Sequence, residues 1–396
     1  MNLSFDNTEN AFAYKTDKEL KGARFLFRSM EYSWFVKLGT RLTPFVIRTG
    51  IKAVHNLIRR TIFKQFVGGE TLQETAGVVD KLGKYGIQVI LDYGVEGKEG
   101  EDNFNQATEQ FIKVIEYASG QSNIPFISIK MTGLARFNLL QTLNEAPRLR
   151  SGIHDNEEEM NEWERVRDRM YSICEIAAEK NVGVLIDAEE SWIQDPIDKL
   201  TMELMEDFNK EKVVVYNTIQ LYRHDRLRFL KLSHGIAKNK GFKLGMKLVR
   251  GAYMEKERER ALDKGVLSPI QRDKESTDLD FNESVRYCIE NLADISVIIA
   301  SHNEVSNLFA ANLIDEKGIA HNHPHVHFSQ LFGMSDNISF NLVKEGFNVS
   351  KYLPFGPIKE VIPYLMRRAE ENSSVSGQTG RELLLIRKEL RRRRKA

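Results

Sequence analysis

The sequence predicts a (β/α)8 TIM-type barrel that follows an N-terminal helical segment. After Gly86, eight short apolar runs alternate with longer segments whose apolar residues recur at helical spacing. Runs that are apolar throughout are typical of strands buried on both faces, as in parallel sheets. An open doubly wound sheet is the alternative, but no Gly-x-Gly-x-x-Gly turn follows any run and the sequence has no Walker A loop. The alternation of eight strands with helices therefore favours the barrel.

The predicted elements follow one another in a regular order. The strands are 87–91, 126–129, 182–186, 213–216, 244–249, 295–300, 325–331 and 347–353. The helices are 102–118, 158–180, 197–209, 225–239, 279–292, 304–315, 336–345 and 358–372. Residues 1–85 also show apolar positions at helical spacing. We therefore expect an N-terminal helical arm at 1–85, a barrel at 86–375 and a basic C-terminal tail at 376–396.

The composition excludes several classes of protein. The 396 residues include 57 Lys and Arg against 56 Asp and Glu, and the resulting net charge of +1 argues against a dedicated nucleic-acid binder. Two cysteines, Cys174 and Cys288, are too few for a disulfide scaffold or a cysteine-rich metal site. Asp6 and Glu9 precede the first basic residue, unlike in a signal or transit peptide, and charged residues interrupt the apolar segment 25–47. We therefore expect a cytoplasmic protein without a membrane-spanning helix.

Polar side chains stand at the carboxyl ends of six predicted strands, where TIM-barrel active sites are built. Lys130 and Asp187 follow neighbouring strands, and a buried lysine–aspartate pair is costly unless it is well hydrogen-bonded. Lys247 and Arg250 add positive charge at strand five, and Gly251 removes bulk where a flat or phosphorylated ligand could approach the backbone. Each residue alone could equally be a solvated or structurally paired charge. Their recurrence at six strand ends indicates an active site.

A second group of charges lies in the last predicted barrel helix. Glu371 stands three and four residues after Arg368 and Arg367, so the three side chains can share one helix face. A solvated face with local salt bridges is one interpretation. The other is a carboxylate-binding clamp, because guanidinium groups bind carboxylates in a fixed bidentate geometry. The spacing alone leaves both open.

Several segments form one combined set of motifs. They include the run 247–253 (Lys-Leu-Val-Arg-Gly-Ala-Tyr), Tyr352-x-Pro354-x-Gly356, and the run 364–372 with its paired arginines. The segments 128–130, 186–190 and 217–222 belong to the same set. This combination, which extends from about residue 60 to residue 390, resembles the proline dehydrogenase family. Lys247 and the segment 328–334 are most similar to its single-function, mitochondrial-type branch.

The resemblance implies an enzyme that binds FAD and oxidises L-proline to Δ1-pyrroline-5-carboxylate, the first step of proline catabolism. It places Asp187 and Lys247 at the catalytic face of the flavin, although relatives commonly carry arginine where Lys247 stands. The residues implied to bind the carboxylate and ring of proline are Lys130, Leu331, Tyr352, Arg367, Arg368 and Glu371. The residues implied to bind FAD are Ala188, Gln220, Lys247, Arg250, Gly251, Ala252, Tyr253, Thr277, Ser301, His302 and Asn303.

Two other activities are compatible with the same strand-end residues. One is a hydroxyproline dehydrogenase, although its relatives carry a smaller serine at the position of Tyr352. The other is a Schiff-base lyase that uses Lys130 or Lys247 as its nucleophile. The sequence does not identify the base that removes the proton from the proline amine.

Two further clusters have simple interpretations. His321, His323, His325 and His327 are interrupted by Pro324 and have no adjacent carboxylate or cysteine, so we expect a polar loop and no metal site. The basic tail is either a solvated helix end or a contact to an anionic membrane surface. Membrane contact would suit the quinone acceptor that the resemblance implies. The sequence leaves the oligomeric state open.

Overall fold

The computed structural model describes residues 3–30, 56–94, 99–145, 157–374 and 378–395. Its eight strands close into a barrel in sequence order, and β1 pairs with β8, β2 with β3, β3 with β4, β4 with β5 and β5 with β6 in parallel. The strands are β1 (Gln88–Tyr93), β2 (Phe126–Ile129), β3 (Gly183–Ile186), β4 (Val215–Gln220), β5 (Leu244–Val249), β6 (Ile295–Ala300), β7 (Val326–Leu331) and β8 (Val349–Phe355). The predicted fold class is confirmed.

Helices lie before, between and after the strands. They are α1 (Thr8–Phe12), α2 (Asp17–Met30), α3 (Leu72–Gly83), α4 (Glu101–Ser119), α5 (Phe137–Glu145), α6 (Glu157–Lys180), α7 (Ser191–Phe208), α8 (Arg226–Lys240), α9 (Met254–Lys264), α10 (Lys274–Glu290), α11 (Glu304–Glu316), α12 (Asp336–Lys344), α13 (Ile358–Ser374) and α14 (Gln378–Arg393). A π-helical turn at Arg59–Phe63 runs into a short helix at Lys64–Phe66, and a 3-10 turn follows β2 at Met131–Gly133. In the described ranges, none of these helices combines the length and the apolar character that crossing a membrane requires.

Strand β4 runs further than its sequence pattern predicted. The prediction ended at Tyr216, whereas the strand continues to Gln220 through three buried polar side chains. Each of them has a hydrogen-bond acceptor inside the protein. Asn217 donates to Asp198 over 3.0 Å, Thr218 to the Ile186 carbonyl over 2.8 Å, and Gln220 to the Glu189 carbonyl over 3.2 Å. Polar residues that are satisfied internally interrupt the apolar pattern without ending the strand.

Two helices, α5 and α9, were missing from the prediction, and α7 begins at Ser191 rather than at residue 197. Helix α7 contains Pro196, which normally disfavours a helix interior and therefore hid the first turns. Helix α9 is rich in charged residues and has only Glu257 and Ala261 buried, so it lacks a clear apolar stripe.

The chain divides into two compact units, and each has its own organisation. One unit comprises residues 97–328, and the other combines residues 1–96 with residues 329–396. In the second unit, Leu385 and Ile386 of α14 are buried in one hydrophobic cluster with Leu20 and Phe27 of α2. The basic tail therefore forms a helix with a buried apolar face. The predicted boundaries at residues 85 and 375 remain predictions.

Candidate active site

The unit of residues 97–328 contains a buried ion pair at the carboxyl end of β3 and on β5. The Lys247 ammonium group donates a hydrogen bond to the Asp187 carboxylate. Their side chains are 6% and 13% exposed, so both charges are largely removed from water. Burying a charge without a partner is costly, so the loss of either residue would leave the other as an unpaired buried charge. The strand-end pattern indicated both as active-site residues, and their catalytic role, which the resemblance implies, remains a prediction.

Neighbouring strands fix the backbone that carries this pair. Thr218 of β4 lies beside Lys247 of β5 in the strand register, and its hydroxyl donates to the Ile186 carbonyl over 2.8 Å. The Asp187 amide donates to the Ile129 carbonyl of β2 over 2.8 Å. Lys130, which follows Ile129, is half-buried. Lys130 and Asp187 therefore follow the neighbouring strands β2 and β3, and Lys247 lies on β5, which β4 separates from β3.

The loop after β3 contains a buried carboxylate whose role the sequence did not reveal. Glu189 accepts hydrogen bonds from the Thr132 amide over 3.0 Å and from the Thr132 hydroxyl over 2.6 Å. Burial raises the pKa of Glu189 to about 7, although the bonds from Thr132 oppose the shift. The contact ties the loop of Ala188, which is half-buried, to the segment after Lys130. The sequence does show a concentration of acidic residues at this position, because the run 186–190 contains three of them.

Arg250 bonds to Ser301, another of the predicted FAD-binding residues, and to residues outside that set. Its guanidinium group donates to Asp278 over 2.8 Å, to the Ser301 hydroxyl over 2.7 Å and to the Ser306 hydroxyl over 2.8 Å. It also lies 4.3 Å from the centre of the Phe281 ring. The Arg250 side chain therefore links the end of β5 to the end of β6 and to the start of α11.

Asn303 and Thr277 both make local bonds at helix starts. The Asn303 side chain accepts from the Ser306 amide over 3.0 Å and so caps α11. The half-buried His302 lies between Asn303 and Ser301 in the chain. The Thr277 hydroxyl donates to the Asp273 carbonyl over 3.3 Å in the first turn of α10. The predicted FAD contacts of Thr277 and His302 remain predictions.

Gly251 brings the backbone at the end of β5 against the Tyr222 ring. Its φ of +124° favours glycine, and an added Cβ would lie 2.5 Å from atoms of the Tyr222 ring. Next to it, Ala252 is exposed and Tyr253 is half-buried. One buried polar atom nearby in the sequence, Gln220 Oε1, has no hydrogen-bond partner among the described residues. Unsatisfied buried groups are uncommon and indicate a missing ligand or water.

The unit that combines residues 1–96 and 329–396 holds the predicted ring contacts and the two predicted arginine contacts, whereas Lys130 belongs to the unit of residues 97–328. Leu331 ends β7, and the amide that follows it, of Phe332, donates to the Tyr352 carbonyl of β8 over 2.9 Å. Arg368 of α13 is 8% exposed, and its guanidinium group lies 5.3 Å from the Tyr364 ring centre. Arg367 is half-buried. The Glu371 side chain lies outside the described part. The burial of Arg368 disfavours a fully solvated face.

The histidines of the segment 321–327 contact different parts of the protein and do not surround a common point. His325 Nδ1 is 2.8 Å from the Leu292 carbonyl, and the His327 ring packs edge-on against Phe126. Burial lowers the pKa of His327 to about 4. Within the described residues, no three His, Cys, Asp or Glu side chains are grouped so that they could hold a metal ion.

The chain matches known proteins over most of its length. The family model described as proline dehydrogenase matches residues 76–381. Proline dehydrogenase 1, mitochondrial, of Dictyostelium discoideum is 33% identical over 383 residues, with 86% of this chain and 66% of that protein covered. Hydroxyproline dehydrogenase of Xenopus laevis is 32% identical over 422 residues, with coverage of 99% and 90%.

A solved structure supports the fold. The crystal structure of proline utilization A (PutA) from Bdellovibrio bacteriovorus, inactivated by N-propargylglycine, superposes with a TM-score of 0.72 at 18% identity. The superposition covers 93% of this chain and 43% of that protein, so the chain spans less than half of the PutA polypeptide. Together with the family match across residues 76–381, these relatives show that the chain belongs to the proline dehydrogenase family.

Proposed function

We propose that the chain is an FAD-dependent proline dehydrogenase that oxidises L-proline to Δ1-pyrroline-5-carboxylate, the first step of proline catabolism. The observation that carries the proposal is the buried Asp187–Lys247 ion pair, formed between the residue after β3 and a residue of β5. Family membership supports the assignment, because the matched residues 76–381 include every residue of this arrangement.

The residues of the larger unit fit an FAD cofactor. Gln220 Oε1 is a buried acceptor that lacks a donor among the described residues, and a flavin ring carries an N–H group that could supply one. Gly251 is exposed and carries no side chain that would cover its backbone. Ala188, Gln220, Arg250, Gly251, Ala252, Tyr253, Thr277, Ser301, His302 and Asn303 would hold the cofactor, together with Lys247. When bound, the flavin supplies the hydride acceptor for the oxidation.

The protein side of the reaction needs charge and orientation. Lys247 keeps a positive charge at the carboxyl end of β5, which favours the accumulation of negative charge on an electron acceptor bound there. Asp187 balances that charge in the absence of substrate and holds the ammonium group in place.

The residues proposed to contact proline have separate tasks. Lys130, Arg367 and Arg368 would bind the carboxylate, and Glu371 would orient the two arginines. Leu331 and Tyr352 would pack against the ring. A clamp of several cations can hold the reacting carbon in one position, which contributes to the rate by orientation. The burial of Arg368 and the hydrogen bond between the β7 and β8 ends support these assignments.

The same proposal includes quinone as the electron acceptor, a cytoplasmic location and peripheral contact with an anionic membrane surface. Helix α14 offers the exposed side chains of Arg387 and Arg391 for such a contact, and Arg394 directly after the helix offers a third. Other basic residues of that helix are engaged within their own unit, since Arg381 pairs with Asp6 over 2.7 Å. Nucleic acid is not a proposed partner.

Dye reduction by the purified chain tests the activity. We expect released FAD after denaturation, and reduction of an artificial electron acceptor that depends on L-proline. The lyase alternative predicts instead a covalent protein–substrate adduct at Lys130 or Lys247 after borohydride treatment. A colourless protein that gains no flavin on reconstitution, or an adduct without dye reduction, would contradict the proposal.

Substrate preference separates proline from hydroxyproline oxidation. Tyr352 is a bulky ring contact in the proposal, and burying the substrate hydroxyl without a partner costs roughly 1–3 kcal/mol. We expect kcat/KM for L-proline to exceed that for trans-4-hydroxy-L-proline by at least about tenfold, which corresponds to roughly 1.4 kcal/mol. Tyr352→Ser should lower the ratio of kcat/KM for L-proline to kcat/KM for trans-4-hydroxy-L-proline. Tyr352→Phe, which keeps the aromatic ring, should leave this ratio unchanged. An unchanged ratio in Tyr352→Ser would remove Tyr352 from the substrate pocket.

A further inference from the structure

A buried ionic cluster lies within the unit of residues 1–96 and 329–396. We call Tyr14, Lys15, Asp336, Lys351 and Glu382 the Asp336 cluster. Asp336 lies 3.0 Å from the ammonium groups of both Lys15 and Lys351, and the Tyr14 hydroxyl donates to it over 2.9 Å. Burial by itself would raise the pKa of Asp336, but the two ammonium groups lower it below its usual value. The carboxylate at the centre of the cluster is therefore negatively charged.

Lys351 belongs to β8 and holds the segment that follows β7. The Lys351 ammonium group donates to the Met334 carbonyl over 2.6 Å. The next residue, Ser335, has φ of +51° and donates its amide to the Glu382 carboxylate of α14. Gln65 donates to the Gly333 carbonyl over 2.7 Å. The segment 332–335 is thus held by side chains from three other parts of the same unit.

The two residues proposed to contact the proline ring lie next to this network in the chain. Leu331 directly precedes the held segment, and Tyr352 directly follows Lys351 in β8. The Phe332 amide also donates to the Tyr352 carbonyl over 2.9 Å. Lys351 lies on β8 and bonds to the Met334 carbonyl in the segment that follows β7. We therefore expect the loss of this bond to alter the spacing between Leu331 and Tyr352.

The burial of Lys351 is not explained by stability alone. Its side chain is completely buried, and burying a lysine carries a large desolvation cost that an apolar residue of similar length avoids. Asp336 retains Lys15 and Tyr14 as partners when Lys351 is removed, so the carboxylate does not depend on Lys351 for neutralisation. Lys351 differs from Lys15 in its bond to Met334 and in its place next to Tyr352.

We propose that Lys351 is a positioning residue that sets the spacing of Leu331 and Tyr352 and thereby the preference for an unsubstituted proline ring. The inference rests on the proposed function, because it takes Leu331 and Tyr352 as ring contacts. Lys351 touches neither substrate nor cofactor in this account. It acts through its bond to the Met334 carbonyl.

The test compares Lys351→Met with Lys15→Met in the full-length flavoprotein. Both variants remove one ammonium group from the same carboxylate, but only the first removes the bond to Met334. We expect Lys351→Met to raise the KM for L-proline by about tenfold or more with a smaller effect on kcat, as for lost binding of the ground state. It should also narrow the preference for L-proline over trans-4-hydroxy-L-proline. Lys15→Met should leave KM and the preference within about twofold of the unmodified enzyme.

Hydrogen exchange measured by mass spectrometry gives a readout that is independent of activity. The peptide covering 331–335 should exchange faster in Lys351→Met than in Lys15→Met. Equal exchange and equal KM in the two variants would overturn the proposal. If Lys351→Met does not fold, Lys351→Met/Asp336→Asn removes both charges and is compared with Lys15→Met in the same way. If the unmodified chain does not oxidise proline, the proposed function fails, and the exchange comparison still decides whether Lys351 holds the segment.

Discussion

At the residue scale, the Asp187–Lys247 pair combines a high cost of burial with a clear chemical use. Lys247 is 4% exposed and bonds to Asp187, so neither residue serves merely to keep the surface polar. In a flavin-dependent oxidation the charge of Lys247 matters more than its nucleophilicity. In a Schiff-base reaction the primary amine itself is required.

Substitution of Lys247 therefore separates the two chemistries. Lys247→Arg keeps the charge, and we expect it to retain kcat within about tenfold, whereas Lys247→Met should lower kcat by roughly 10²-fold. Steady-state dye reduction with both variants measures the difference, with bound flavin quantified in each. Complete loss of activity in Lys247→Arg with full flavin content would favour the amine as nucleophile.

The paired arginines of α13 give a second prediction at this scale. Losing a charge-assisted contact to the substrate carboxylate costs roughly 2–4 kcal/mol. Arg367→Met and Arg368→Met should therefore raise the KM for L-proline far more than they lower flavin content. Arg387→Met is the matched control, because Arg387 is exposed on α14. If neither substitution changes KM relative to the control, the pair does not bind substrate.

Individual residues also mark the limit of sequence reasoning. Charges near the ends of apolar runs indicated Asp187 and Lys247 as active-site candidates, and their roles remain predictions. Glu189 and Lys351 were not recognised as important, since their roles depend on the partners Thr132 and Met334 that only the folded chain supplies. The run 349–355 has Lys351 in its middle, where a lysine in a buried strand is unusual and could have been noticed.

At the element scale, helix α7 depends on a carboxylate from another helix. Glu257 of α9 accepts from the Ser191 amide and from the Ser191 hydroxyl, each over 2.6 Å, at the start of α7. Glu190, at the N-cap position of α7, forms no capping bond with its own side chain. A carboxylate at a helix N-terminus satisfies free amides and interacts favourably with the helix dipole. Glu257 therefore performs the capping task from a distance in sequence.

Removing this contact should weaken the larger unit. Glu257→Gln replaces one acceptor oxygen with a donor, and we expect it to lower the free energy of unfolding by about 1–2 kcal/mol. Glu259→Gln, at an exposed position of the same helix, should change it by no more than ~0.5 kcal/mol. Urea unfolding followed by circular dichroism measures both. Equal stability of the two variants would show that α7 does not need the Glu257 carboxylate.

The elements themselves were predictable to different degrees. All eight strands were found, because strands buried on both faces are continuous apolar runs. Helices α5 and α9 were missed, since each lies between a strand end and the following barrel helix, in a place where the simple alternation predicts a loop. The helical nature of residues 378–393 follows from apolar residues such as Leu385 and Ile386, which the basic composition of the tail obscured.

At the scale of the whole molecule, buried titratable groups link stability to pH. His327 is buried, and burial lowers its pKa from 6.5 to about 4. In the unfolded chain the same imidazole takes up a proton near pH 6.5. Stability from the neutral, buried ring is therefore complete above pH 6.5 and is lost as the pH falls from 6.5 towards 4. At about 1.4 kcal/mol per unit, the loss amounts to about 3 kcal/mol.

A substitution isolates this contribution. His327→Gln removes the titrating ring, so the difference in unfolding free energy between pH 7 and pH 4.5 should be smaller in this variant than in the unmodified protein. His224→Gln, at an exposed position, should leave that difference unchanged. Chemical denaturation at a series of pH values provides the comparison. A pH dependence that is identical in all three proteins would show that His327 is not responsible.

The central claim is that this chain transfers electrons from L-proline to its own bound FAD. An anaerobic titration of the purified flavoprotein with L-proline tests it most directly, with absorbance and product measured together. The account predicts that the visible flavin band bleaches with saturation and that one equivalent of Δ1-pyrroline-5-carboxylate forms per flavin reduced, whereas D-proline leaves the spectrum unchanged. A flavin that stays oxidised at saturating L-proline, or that is reduced without formation of this product, would contradict the claim.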